Sequence, residues 1–259
     1  MAIELVKYMS AKTRSLSLDN KVLLTAFLRV LPNNKTKLSY NELLGSNISP
    51  APYLNAHIFI ELAFAKLIGK TGGVFSNQDD YITFNIVLND EYSEKQLADL
   101  LLQISSTGGH SERDIRGVVT LMKNALVAEC VQFFSDQLSL EVFEIELLKN
   151  PPKALLGILE HHTLAEIYTL IWEATSEFSL LEMKEQSVLE VLSEVCHSAQ
   201  RIALWHATNK KPIKPYQKKE GSQCSLVTSI LMENYFGLEP GKYFTSNVWP
   251  ILCTNEDGF

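Results

Sequence analysis

The chain has 259 residues, 46% of them hydrophobic and 20% charged, with a net charge of −7 and a mean hydropathy of +0.02. That balance supplies packed cores and excludes an intrinsically disordered chain, and the length leaves room for two ordinary domains. No apolar run reaches the ~18 residues of a membrane span, and Met1-Ala2-Ile3-Glu4-Leu5 opens with an acid where a secretory signal is basic, so a cytoplasmic location with no membrane partner is expected.

Near the N-terminus, Ser15 to Asn20 offers several capping residues before a helix from Lys21 to Leu31, whose Leu23, Leu24, Phe27, Leu28 and Leu31 recur at helical spacing. Pro32-Asn33-Asn34 stops it. Ser39-Tyr-Asn-Glu42 has the form of a capping box and predicts a short second helix ending at Gly45. A third helix is expected from Tyr53 to Ile68, entered through Ser49-Pro50 and broken by Gly69-Lys-Thr-Gly-Gly73. Val74-Phe75, a polar turn over 76–80 and the β-branched and aromatic run Tyr81 to Leu88 then predict a β-hairpin. Three helices and a hairpin, in that order, make the expected N-terminal module winged-helix-like.

Beyond it the pattern is helical. Helices are expected from Ser93 to about Ser105, from Ser111 through Phe133, from the capping box Thr163-Leu-Ala-Glu166 to about Thr175, and from Ser179 to His206. Leu138 to Leu148 fits a strand and a helix equally, and Pro151-Pro152 ends either. On the last long helix Leu181, Val188, Leu192, Val195, Ala199 and Ile202 form the expected buried stripe, with Glu190, Glu194, His197 and Arg201 on another face. Asn209 to Lys219, with five lysines, two prolines and no acid, is expected to be a linker or exposed loop. A final helix from about Gln223 to Phe236 precedes an apolar tail, Trp249 to Cys253, of the kind that docks onto the body. The fold class is therefore mainly α, a winged-helix-like module over 1–90 followed by an acidic α-helical bundle over 91–208, a Lys/Pro-rich segment over 209–221 and a C-terminal helix and tail over 222–259.

Charge supports this division. Residues 1–90 hold nine Lys and Arg against seven Asp and Glu, residues 91–208 eight against eighteen, and residues 209–259 six against five. The acidic middle repels a phosphate backbone, so nucleic-acid contact is expected from the first or last third. The candidates there are Lys35, Lys37, Lys66 and Lys70 in the module, and Lys210, Lys211, Lys214, Lys218 and Lys219 in the basic segment, where Tyr216 is available to stack on a base.

The chain has no complete catalytic or metal motif. Gly69-Lys70-Thr71 lacks the first glycine of a P-loop, with Phe64 in its place, and follows a helix instead of a strand. The four cysteines, Cys130, Cys196, Cys224 and Cys253, lie too far apart for a zinc site and read as buried thiols. Glu194-Val-Cys-His197 supplies half of a di-iron spacing without a second copy, and Glu166 beside His161-His162 is better explained as a helix cap than as a metal ligand. No cofactor is expected.

Arg201-Ile-Ala-Leu-Trp-His206 resembles the R-x4-H motif of the HEPN ribonucleases. The resemblance implies that Arg201 and His206 act on the RNA phosphodiester and its 2′-hydroxyl. On an ideal helix a five-residue offset sets two side chains ~140° apart, so convergence is expected only where the helix ends between them or a second copy contributes. The alternative for these residues is a surface ion-pair stripe with Glu194.

The expected third helix is apolar over most of its circumference, which suits cover by protein more than entry into a DNA groove. The leading expectation is thus a non-enzymatic adaptor or scaffold subunit of a nucleic-acid-associated assembly, with protein partners or further copies of itself. A DNA-binding winged-helix regulator and a HEPN-like ribonuclease are the alternatives.

Overall fold

A computed structural model describes residues 16–30, 37–39, 46–51, 54–55, 58, 61–62, 81–83, 90–105, 110–138, 151–176, 187–217 and 225–249. The described chain is mainly helical and gathers into two compact units, residues 1–121 with 225–238 and residues 122–224 with 239–259. Composition puts borders near 90, 208 and 221, whereas packing returns 225–238 to the first unit. Backbone hydrogen bonds make that return, from Leu226 N–H to the Asn47 carbonyl (3.0 Å) and from Val227 N–H to the Ile48 carbonyl (2.9 Å).

In the first unit, helix α1 (Leu18–Val30) starts three residues before the expected Lys21, because Ser17 caps it. The Ser17 carbonyl accepts from Lys21 N–H at 3.1 Å, and Asn20 donates to the Ser17 hydroxyl at 2.9 Å. Val22, Leu23, Ala26 and Phe27 of α1 are buried. Strands β1 (Lys37–Ser39) and β2 (Tyr81–Thr83) pair antiparallel, Leu38 opposite Ile82. The expected hairpin partner and turn, 74–80, lie outside the described residues, as do 84–88 and the second helix over 40–45. Ser39, expected to open that helix, ends β1.

Of the expected third helix, positions 54, 55, 58, 61 and 62 are helical. Leu54, Ile58 and Leu62, four residues apart and so on one face, are buried, while Glu61 is exposed. This part of the apolar face is covered by the protein's own packing. Asn55 is not a surface polar residue either. It is buried, its side-chain carbonyl accepts from the Ser49 N–H (2.9 Å) and hydroxyl (2.6 Å), and its amide donates to the Ser46 carbonyl (3.1 Å), clasping the loop ahead of the helix.

Helix α2 spans Asp90–Ser105 and helix α3 spans Glu112–Leu138. Ser111 caps α3 as expected, its hydroxyl accepting from Asp114 N–H at 3.2 Å. The Asp114 carboxylate in turn accepts from the Ser111 hydroxyl (2.6 Å) and from Leu18 N–H (2.9 Å), which ties the start of α1 to the start of α3. Burial works to raise this carboxyl, but the hydrogen bonds and Lys21 outweigh it and hold it below its ordinary value. By length and composition α3 is apolar enough to cross a membrane, but 72% of its most apolar window is buried in the protein, as in a core helix.

The second unit contains α4 (Lys153–His161), which the sequence pattern left unassigned, α5 (Leu164–Ser176) and α6 (Val188–Thr208). The Thr163 capping box is formed, with Thr163 N–H donating to the Glu166 carboxylate at 2.9 Å. Helix α6 begins at Val188, nine residues after the expected Ser179, because Ser187 and Glu190 form a second capping box that fixes its start there. It packs on α5 and α4 through Val191, Leu192, Val195, Cys196 and Ala199. Phe133 stacks on Tyr168 with centroids 4.0 Å apart, Tyr216 and Phe244 meet the pair edge-on, and the buried Tyr168 hydroxyl donates to the buried Glu129 carboxylate at 2.9 Å. Trp249 of the tail is buried in this unit, with Lys123 Nζ 5.3 Å from its ring.

Candidate functional site

The C-terminal turn of α6 is closed by a Schellman motif. Lys211 N–H donates to the His206 carbonyl (2.9 Å) and Lys210 N–H to the Ala207 carbonyl (3.2 Å), while Lys210 takes the left-handed conformation (φ 52°) usually given to glycine. The chain thereby folds back over its own helix end. The segment 209–217 is no free linker: Tyr216 N–H donates to the Ala165 carbonyl (2.8 Å), the Thr169 hydroxyl donates to the Lys214 carbonyl (2.7 Å), and Ile213 is buried. Lys210, Lys211 and Lys214 remain exposed.

Beside this turn lies an open cavity of about 420 Å³, lined by Glu173 of α5 and by Ser198, Arg201, Ile202, Trp205 and His206 of α6. At ~100° per residue, Arg201, Trp205, Ser198, Ile202 and His206 fall at roughly 0, 40, 60, 100 and 140° around the helix. The lining is one continuous arc, with Arg201 and His206 at its two rims. Helix α6 runs unbroken past both residues, and both line the same cavity, at opposite ends of the arc. Ile202 is only half-buried because it lies in this arc instead of in the core.

His206 is held on both sides. Its Nδ1 lies 3.2 Å from the Lys211 carbonyl, which can only accept, so that nitrogen carries the proton and Nε2 is left toward the Glu173 carboxylate at 3.9 Å. The Trp205 ring stands perpendicular to the imidazole (89°, centroids 5.2 Å), with the Lys211 ammonium 4.9 Å from its own centroid. His162 belongs to the same electrostatic neighbourhood. Burial pushes its pKa down, Glu166 opposes this, and the charges of His161 and His206 add to the lowering.

No protein-family model, curated protein or solved structure matches this chain.

Of the lysines singled out in the sequence, Lys35, Lys66, Lys70, Lys218 and Lys219 lie outside the described residues, and Lys37 is described only as a backbone position in β1. The structure places the Lys211 ammonium over the Trp205 ring and leaves Lys210 and Lys214 exposed on the same turn. Sequence reasoning missed Glu173, Ser198 and Trp205. Trp205 sits inside the R-x4-H hexapeptide, beside His206 and one helical turn after Arg201, which is the sequence signal for it, whereas Glu173 comes from another helix and gives no sequence signal. Among the described residues, no three His, Cys, Asp or Glu side chains gather into a group fit to hold a metal ion. Glu166 is engaged in its cap, and the His197 ring bonds the Ser193 carbonyl at 2.7 Å. Cys130 and Cys196 are buried free thiols, as the spacing predicts.

Proposed function

We propose that the α5–α6 cavity is an RNA phosphodiester site and that the chain is a HEPN-like ribonuclease. One observation carries this reading: Arg201 and His206 line the same open cavity, with Glu173 facing the imidazole. The Arg201 guanidinium suits the non-bridging phosphate oxygens. Neutral His206 takes the proton of the 2′-hydroxyl through Nε2 as that oxygen bonds to phosphorus, and the P–O5′ bond breaks. The imidazolium, formed 3.9 Å from the Glu173 carboxylate, returns the proton to the departing 5′-oxygen. The products are a 2′,3′-cyclic phosphate and a 5′-hydroxyl.

The test is incubation of the purified chain with single-stranded RNA, with end-group analysis of the products. Cyclic phosphate ends are expected, with a roughly 10²–10⁴-fold loss of rate in His206→Ala, the usual scale for removing a general acid–base group. Equal cleavage by wild type, His206→Ala and Arg201→Ala would overturn the reading.

A second reading has its own observation. Trp172, Leu204 and Trp205 are 52%, 67% and 50% exposed on α5 and α6. Such surface favours an adaptor or scaffold subunit that binds protein partners or a second copy. Sedimentation that shows a monomer at all concentrations, with no partner recovered from the native host, removes it. The first unit we read as winged-helix-like, since β1 follows α1 and pairs with a strand placed after the third helix, as in a small sheet flanking three helices. Duplex binding by this unit would make the chain a DNA-binding regulator, and absence of a gel shift at low salt excludes that.

A further inference from the structure

We infer that residues 211–216 form a rigid polyproline II ligand for a protein domain whose shallow groove is walled by aromatic rings and edged by carboxylates. The inference is independent of the chemistry of the cavity and of the exposed Trp172, Leu204 and Trp205. Lys211-Pro-Ile-Lys-Pro-Tyr216 repeats a Lys-Pro step after three residues, and that repeat restricts the backbone. Each pyrrolidine ring sets its own φ at about −65° and pushes the lysine before it out of the helical region, which confines both Lys-Pro pairs to extended or polyproline II backbone. Past Lys210, none of residues 211–217 has a positive φ, and none lies in a helix or strand. Burial follows the same period of three. Ile213 is buried and Tyr216 is half-buried, edge-on to Phe133 with centroids 5.0 Å apart, whereas Pro212, Lys214 and Pro215 are exposed. With three residues per turn, one edge of the strap, Ile213 and Tyr216, faces the body, and a second, Pro212 and Pro215, points outward with its prolines ~9 Å apart. The third edge holds Lys211, whose ammonium rests over the Trp205 ring at 4.9 Å, and Lys214, which is exposed beside the prolines. Hydrogen bonds hold the strap in place: Lys211 N–H donates to the His206 carbonyl (2.9 Å), Tyr216 N–H to the Ala165 carbonyl (2.8 Å), and the Lys214 carbonyl accepts from the Thr169 hydroxyl (2.7 Å). A segment already fixed in an extended, proline-edged shape loses little conformational entropy on docking, which suits Pro-x-x-Pro segments to aromatic grooves. Charge selects among such grooves: five lysines and no acid from Asn209 to Lys219 favour one with carboxylates at its rim. A phosphate backbone would use the lysines but gain nothing from two prolines held on one edge, so the pattern favours a protein partner.

The experiment measures binding of the fluorescently labelled full chain to an array of purified SH3 domains, whose aromatic grooves take Pro-x-x-Pro segments. At least one domain with an acidic groove rim is expected to bind, and the same domain with a groove aromatic replaced by alanine should not. Pro212→Ala/Pro215→Ala should weaken the interaction by about 30-fold or more, the scale of losing one interface hot spot. Lys214→Ala should weaken it less and flatten its salt dependence, and Lys214→Arg should restore both. All three substituted side chains are exposed, and a urea midpoint equal to that of wild type, read by tryptophan fluorescence, shows that the second unit stays folded. Binding by no domain of the array, or equal binding by wild type and the double proline variant, overturns the inference. Binding that survives in the proline variant and is lost in Leu204→Ala/Trp205→Ala assigns the contact to the exposed apolar face and overturns it as well. So does a chain that no domain retains but that binds a 2′-O-methylated oligoribonucleotide through Lys210 and Lys214, because the strap then serves a phosphate backbone.

Discussion

Tyr168→Phe removes a single oxygen from the centre of the second unit. That oxygen donates to the Glu129 carboxylate at 2.9 Å and lies 3.3 Å from the Glu129 carbonyl, with both residues buried. The ring keeps its stack on Phe133, so packing is nearly conserved and the loss is that of a buried hydrogen bond to a charged group, worth ~1.5–3 kcal/mol. About 2 kcal/mol corresponds to a Tm shift of roughly 4–8 °C for a chain of this size. All three tryptophans, Trp172, Trp205 and Trp249, belong to residues of the second unit, so intrinsic tryptophan fluorescence in a urea titration reports that unit and not the first. Burial, reinforced by the Glu129 charge, also holds the Tyr168 phenol well above its ordinary value. A phenol with a raised folded pKa contributes stability that is present below the unfolded value near 10 and is lost as pH climbs above it, so this alkaline loss should shrink in Tyr168→Phe. A variant within ~0.5 kcal/mol of wild type would refute the claim that a buried charge-assisted bond holds this core together.

Three other outcomes follow from the same geometry. Burial pushes the Cys196 thiol up to about 12 and the Cys130 thiol well above its usual value, so in a Cys224→Ser/Cys253→Ser background a thiol reagent at pH 8 should label neither in the native protein and both in urea; prompt native labelling contradicts the burial. Because the folded pKa of His162 is depressed, the unfolded chain binds protons first as pH falls through the unfolded value near 6.5, and stability drops over that range; His162→Gln should flatten the fluorescence-monitored dependence between pH 7.5 and 5.5, and an equal slope in both proteins counts against it. Lys210→Gly relieves a left-handed residue and should raise the urea midpoint by an amount equivalent to ~0.5–1 kcal/mol, whereas a loss shows that the lysine side chain contributes more than its strained backbone costs.

What the sequence made legible was what neighbouring residues decide. The Ser111 and Thr163 caps needed only a hydroxyl and an acid three residues on, and the structure forms both. The same signature, Ser187-Val-Leu-Glu190, is masked in the sequence by a periodicity that looks helical as far back as Ser179. Helix α4 is hard to read in the sequence because Pro151-Pro152 and the Thr163 cap leave a short span between two stops, although proline fits the start of a helix as well as its end. The apolar third helix was legible as buried, but not by what, since a hydrophobic stripe has the same pattern whether the cover is its own chain or another. Arg201 and His206 were found by spacing alone. Glu173, which faces His206, depends on how α5 lies beside α6, and no local pattern in either helix encodes it.

That dependence decides how the site is assembled. On an ideal helix, five residues advance ~7.5 Å along the axis and ~140° around it, leaving roughly 9 Å between the Arg201 and His206 Cα atoms. The two side chains leave the helix ~140° apart, and this divergence, more than the distance, keeps them from direct contact, so a bound phosphate has to span the cavity between them. The cavity is bounded by α5 and α6 of one chain, so a single copy supplies both rims. Mixing Arg201→Ala with His206→Ala should therefore leave RNA uncleaved at every ratio, and wild-type rate should stay proportional to protein concentration. In a site shared between two copies, the mixture forms some dimers in which an intact arginine meets an intact histidine. Recovery of about a quarter or more of the activity on mixing would show that the arc seen in one chain is half of a composite site, and that the ~140° offset is bridged by a second copy and not by the width of the cavity.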